Sequence, residues 1–350
     1  MPKLGVMEIF FGSPWPKEAR LSYAQFLPAA GYETYLYGPK ADAYLRRRWK
    51  EEWPAAYRAE LKAMSETFRA AGMKFGVCFS PMGYHEETPE RGAALLAERL
   101  RILAEVGIDT LGLFFDDMPV HEGLAATQLT IVQEVRKIFS GHLLFCPSFY
   151  TPDPILDKVF GARPAHYLED LAAGLPADIE IAWTGPKVIS PEIPAEHLAE
   201  VKALLKRAPS LCDNFYANDG PKNCKFLKLK PLTGRDAAAF RECSSWYFNP
   251  MNQAELSKVA LVAAARTLQR GEPGAEAWRA ALYGHCSPAL AKLLEERAAL
   301  FLHEGLDKIG EEDKAALRRS LAACADEPIA RELHDYLNGA YTVGSECLTD

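Results

Sequence analysis

The sequence predicts a (β/α)8 barrel followed by a small C-terminal α-helical domain. Three observations point there. Apolar runs of strand length alternate with stretches of helical periodicity about eight times over residues 4–265, the pattern of a parallel sheet wrapped by helices. That span is close to the ~250 residues of such a barrel. Polar side chains also recur directly after one run and the next, where a barrel binds its ligands. A doubly wound open sheet is the other α/β arrangement, but no G-x-G-x-x-G follows the first run, which weakens its dinucleotide-binding form.

The first strand runs from Leu4 to Phe11 and is closed by Gly12, Pro14 and Pro16. A helix through Leu21, Ala24 and Leu27 stops near Gly31. Thr34 to Tyr37 forms the second strand, broken by Gly38-Pro39 and followed at once by Lys40. Tyr57, Leu61, Met64 and Phe68 mark the next helix, and Lys74 to Phe79 the third strand. Thr88-Pro89 opens the third helix, with Thr as cap and Pro at the first helical position. Gly107 ends it. Leu111 to Phe115 is the fourth strand, apolar on both faces as a buried parallel strand must be; it ends in Asp116-Asp117.

A helix over about 124–139 and a fifth strand from His142 to Cys146 follow, then a helical region from Ile155 to Leu175. Ile179 to Ala182 is strand six, ending in Trp183-Thr184, and residues 195–207 read as a helix. Leu211-Cys212 leads strand seven into Asp213-Asn214 and Asp219. Cys243 to Phe248 is strand eight, ending at Asn249. Asn252 and Glu255 have the spacing of a capping box for the last barrel helix. Gly271-Glu272-Pro273-Gly274 marks a boundary, so residues 1–270 form the barrel and 271–350 the helical domain.

Hydrophobic residues make up 49% of the 350, enough for a large core and against disorder. A net charge of −7 argues against a nucleic-acid partner. Arg46-Arg47-Arg48 and the lysines Lys222, Lys225, Lys228 and Lys230 read as solvated faces. No run approaches the ~18 apolar residues of a membrane span, and the N-terminus lacks a signal-peptide pattern. Eight cysteines without a C-x-x-C pair suit a reducing compartment. The expectation is a cytoplasmic protein without membrane contact; an apolar helical tail is compatible with a homodimer.

A barrel would gather Lys40, Asp116, Asp117, Tyr150, Trp183, Thr184, Asp213, Asn214, Asp219 and Asn249 on one face. Carboxylates and amides bind hydroxyls and aromatic faces stack on rings, so the set suits a sugar. Each member also has a plainer reading. Asp-Asp can cap a helix, Asp213 can form an Asx turn, and Trp183 can simply pack. The histidines show no ligand spacing and there is no H-E-x-x-H or G-x-S-x-G. No metal and no cofactor is expected, a carboxylate-held divalent cation being the minor alternative.

Seven short motifs, in chain order, resemble glycoside hydrolase family 84, the O-GlcNAcases and bacterial β-N-acetylglucosaminidases. They are Gly5-Val6-Met7-Glu8 with Phe10, Gly12, Pro14 and Trp15; Tyr35, Tyr37, Pro39 and Lys40; Phe115-Asp116-Asp117; Phe145-Cys146-Pro147 with Tyr150; Trp183 to Val188; Asp213-Asn214 with Ala217-Asn218-Asp219; and Asn249-Pro250. The resemblance implies substrate-assisted hydrolysis with retention, in which the sugar's own 2-acetamido oxygen attacks the anomeric carbon. It makes Asp116 the acetamide-holding anion and Asp117 the proton carrier. Ile9, Lys40, Tyr150, Trp183, Thr184, Val188, Asn214, Asp219 and Asn249 would surround the sugar. The implied ligand is an N-acetylglucosamine-bearing glycan or glycoprotein. Ile9, Phe11 and Ser13 stand where the family usually has Gly, Tyr and Arg, which bears on the exact sugar or aglycone. The alternatives are a carbohydrate- or glycopeptide-binding barrel with little turnover, and a hydrolase of another N-acetylated sugar.

Overall fold

The computed structural model describes residues 1–345, 347 and 349. Eight parallel strands close into a barrel: β1 (Lys3–Glu8), β2 (Thr34–Tyr37), β3 (Lys74–Phe79), β4 (Thr110–Phe114), β5 (His142–Cys146), β6 (Glu180–Trp183), β7 (Ser210–Asp213) and β8 (Ser245–Phe248), with β8 pairing back to β1. The helices between them are α1 (Lys17–Ala29), α2 (Ala55–Ala70), α3 (Pro89–Val106), α4 (Leu124–Arg136), α5 (Ile155–Phe160), α6 (Tyr167–Gly174), α7 (Ala195–Leu205), α8 (Ala237–Arg241) and α9 (Ala254–Arg270). The expected barrel is the barrel observed.

Local chemistry sets some element ends and tertiary contacts set others. The Thr88 hydroxyl accepts the Arg91 N–H and Pro89 sits inside the first turn, so α3 starts where it was expected. The first strand stops at Glu8, three residues short of the expected Phe11. The Glu8 carboxylate takes a two-pronged bond from Arg20 (2.7 and 2.8 Å) and the Tyr35 hydroxyl. That ties β1, α1 and β2 together, and the chain then leaves the ladder. The helical region over 155–175 divides into α5 and α6, because Gly161 (φ 105°) and Pro164 interrupt it.

The capping box expected at Asn252 and Glu255 does not form. Asn252 is used elsewhere: its amide donates to the Phe11 carbonyl (3.2 Å) and its N–H to Asn218 (2.9 Å). The free N–H groups of Glu255 and Leu256 donate instead to the Glu332 carboxylate, at 3.0 and 2.7 Å. Glu332 lies on α13 (Pro328–Leu337), the last of four tail helices after α10 (Gly274–His285), α11 (Pro288–Ala299) and α12 (Glu311–Ala322). The tail packs on the barrel through α9, in one continuous apolar core that includes Leu290, Leu294, Ile329 and Leu333. Among the described residues no helix is long and apolar enough to cross a membrane.

The barrel floor holds a second bonded carboxylate, this one only partly buried. Glu180 of β6 accepts from Ser245 of β8 (2.7 Å) and from Ser210 of β7, and faces His142 at 3.4 Å. Burial alone would raise its pKa; these donors outweigh that and hold it at about 2. Asp213, grouped above with the polar strand ends, is also structural. It forms a fully buried two-pronged pair with Arg235 (2.8 and 2.9 Å) and accepts the Phe215 N–H, an Asx turn.

Candidate active site

At the carboxyl ends of the strands a cleft is lined by Ile9, Lys40, Asp116, Asp117, Tyr150, Thr184, Val188, Asn214, Asp219 and Asn249. Of the residues expected there, Asp213, committed to Arg235, and Trp183 are missing from the wall. The Trp183 indole N–H donates to His197 of α7 (3.0 Å), so the ring packs outward against the helix layer. Side chains alternate along a strand. With Glu180 pointing into the barrel, Trp183 three positions later must point out and Thr184 in.

Asp116 and Asp117 leave β4 in different environments. Asp116 is the deeper, and its Oδ1 has no hydrogen-bond partner among the described residues. Burial pushes its carboxyl above the ordinary aspartate range; the Lys40 ammonium opposes that and the Asp117 charge adds to it. Asp117 is more open to solvent and adopts φ 58°, a left-handed conformation that few side chains other than Asp and Asn tolerate. The turn sends the two neighbouring carboxylates to a shared cation rather than to opposite faces. Lys40 contacts Asp116 and lies 3.0 Å from Asp117. Burial lowers the lysine's pKa, but the two carboxylates outweigh it, so the ammonium is held protonated.

Arg46 is the residue the sequence reading missed. Grouped there with a solvated basic run, it is buried, with Nη2 3.5 Å from Asp117 and Nη1 donating to the Lys40 carbonyl (3.2 Å). Its guanidinium also faces the Phe11 ring at 5.5 Å. Two cations therefore face two carboxylates in one buried group. Also unanticipated are Cys146 and Cys212 at the cleft floor, and Cys347 and Thr349 at its wall.

The opposite wall is built of amides and one more carboxylate. Asn249 donates to Asn214 Oδ1 (3.0 Å), and Asn214 donates to the Val188 carbonyl (2.9 Å). That leaves Asn249 Oδ1 buried without a partner among the described residues. Asp219 accepts the Phe11 N–H (2.8 Å), and burial pushes its carboxyl up to about 6 against that bond. Unspent acceptors at Asp116 and Asn249 face a cleft that also holds Asp219, a set that can receive N–H and O–H groups of a neutral polar ligand. Among the described residues no group of three or more His, Cys, Asp or Glu side chains is disposed to hold a metal ion.

The chain resembles known proteins over most of its length. Residues 4–295 match the sequence model of a family described as beta-N-acetylglucosaminidase. The chain is 30% identical over 268 residues to Protein O-GlcNAcase of rat and of mouse, matching 73% of this chain but 29% of each of those proteins. It thus spans under a third of the length of these relatives. An O-GlcNAc hydrolase mutant from Thermobaculum terrenum superposes with a TM-score of 0.76 at 25% identity, over 96% of this chain and 80% of that one. The chain belongs to the β-N-acetylglucosaminidase family, glycoside hydrolase family 84.

Proposed function

We propose that the chain is a retaining exo-β-N-acetylglucosaminidase of O-GlcNAcase type, acting through an oxazoline intermediate. The observation that carries this reading is the split pair: a deep Asp116 with an unspent oxygen, beside a more accessible Asp117 turned by its left-handed backbone. Both carboxylates meet the one Lys40 ammonium, on one side of the cleft, whereas the two-carboxylate mechanisms flank the glycosidic bond; substrate assistance is the known exception.

In the first step the acetamido oxygen forms a bond to the anomeric carbon as the glycosidic C–O bond breaks. The Asp117 proton passes to the leaving oxygen. Asp116, ionised, accepts the acetamido N–H as that nitrogen gains positive charge. A carboxylate destabilised by burial gains more from such a partner than a solvated one does. Water then attacks the anomeric carbon, its proton returns to Asp117, and the oxazoline ring opens with net retention. Asp219, Asn249 and Lys40 bind hydroxyls, Asn214 and Tyr150 hold the acetamide region, and Arg46 positions Asp117. The eight unpaired cysteines support a cytoplasmic location.

The test is hydrolysis of 4-methylumbelliferyl β-N-acetylglucosaminide and of its N-fluoroacetyl analogues. Turnover should fall steeply as fluorine weakens the acetamido oxygen, and the matching β-glucoside should be inert. Equal cleavage of the β-glucoside sinks substrate assistance.

A further inference from the structure

The cleft is walled in part by the chain's own C-terminal segment. Val343 is buried against Phe11 and Cys224, and its N–H points to the Cys224 sulfur at 3.4 Å. Cys347 packs on the same apolar group, and Cys347 and Thr349 line the cleft together with Asp219. The seat is shaped for this contact. Gly12 has φ 101°, and a Cβ there would come within 2.9 Å of the Val343 side chain. The Phe11 side chain packs in one apolar cluster with Val343.

Volume decides what the contact does. The space left free in the cleft is about 70 Å³. The neighbouring depression lined by Tyr84, Phe115 and Met118 holds about 420 Å³. Small-molecule sites run to roughly 300–1,000 Å³, so an acetamido sugar does not fit while the segment stays seated. We propose that the segment carrying Val343, Cys347 and Thr349 is a plug that competes with the sugar for the cleft and must leave before substrate binds. This rests on the glycosidase reading above for the identity of the competitor, but not for the seating itself. A plug that is seated most of the time raises the apparent KM by the inverse of the open fraction and leaves kcat untouched.

Two measurements on the full chain test this. The first is alkylation of Cys347 by iodoacetamide, read by peptide mass mapping. The seated thiol is slow to react, since burial pushes it up to about 11. Saturating free N-acetylglucosamine should displace the plug and speed Cys347 alkylation. Slowing, or no change while the sugar demonstrably raises the melting temperature, overturns the proposal. The second uses Val343→Asp, which places a charge in the apolar seat. It should lower KM for the aryl glycoside by about three- to tenfold at unchanged kcat, and speed Cys347 alkylation with no sugar present. Unchanged KM and unchanged alkylation overturn it. If Val343→Asp does not fold, Val343→Ala is read in the same way. Should the sugar fail to bind at all, the glycosidase reading falls, and seating is then decided by Val343→Asp alkylation alone.

Discussion

The guanidinium of Arg46 lies 3.5 Å from the Asp117 carboxylate while its other nitrogen donates to the Lys40 carbonyl. One buried side chain thereby fixes the lysine's backbone and the neighbouring aspartate together. Arg46→Met should lower kcat for an aryl β-N-acetylglucosaminide by about ten- to hundredfold, the scale of a misplaced catalytic group, with KM changed little. Arg46→Lys should recover part of that loss. A variant with wild-type kcat removes Arg46 from the positioning role.

On the proposed reading Asp219 should give the reaction an acid limb. Ionised, its carboxylate is the stronger acceptor for a sugar hydroxyl, and burial has pushed its pKa up to about 6. Protonation therefore begins closer to neutrality than for a solvated aspartate. As pH falls below that value, kcat/KM should drop by about tenfold per pH unit. In Asp219→Asn that limb should vanish from a generally weaker enzyme. Persistence of the limb in the variant assigns it to another group.

Asp117 separates chemistry from backbone strain. Its φ of 58° suits glycine. Asp117→Gly and Asp117→Ala should both abolish general acid catalysis, yet urea unfolding should find the glycine variant about 1 kcal/mol the more stable. Equal stability would mean that the turn relaxes once the carboxylate is removed.

Glu180 ties acid stability to the barrel floor. Burial works against its ionised form, and its bonds from His142, Ser210 and Ser245 overcome that, holding the folded pKa at about 2 against an ordinary 4.5. The folded value is the lower one. The stabilisation is therefore complete above about 4.5 and lost as pH falls towards 2, in total roughly 3 kcal/mol as an upper bound. Glu180→Gln should be less stable than wild type at pH 7 and nearly equal to it at pH 2.

The barrel was legible because buried parallel strands are apolar on both faces, so each polar exit, Asp116 or Asn249, marks a strand end in plain sequence. Other features left no such mark. Trp183 is a strand-end aromatic like any other until the direction of Glu180 fixes the parity of β6. Arg46 sits among three arginines. Only the turn at Ala43–Leu45 folds it back beneath Lys40 while Arg48 stays on the surface, paired with Glu51. Cys347 lies about a hundred residues beyond the last strand, in a stretch with neither period. The spacing of Asn252 and Glu255 was real, but tertiary contacts to Phe11 and Asn218 took Asn252 away, and Glu332 took over the helix end.

That carboxylate has a consequence for how the molecule comes apart. Glu332 reaches back 77 residues to close the first turn of α9, directly after the loop that carries Asn249. Pulling the last helix away would strip two backbone donors of their acceptor and loosen the segment that closes β8 onto β1. Barrel and tail should therefore melt as one unit. A cut in the Gly271–Gly274 connection alone should leave a nicked but assembled molecule, held shut by an acid near one end of the chain.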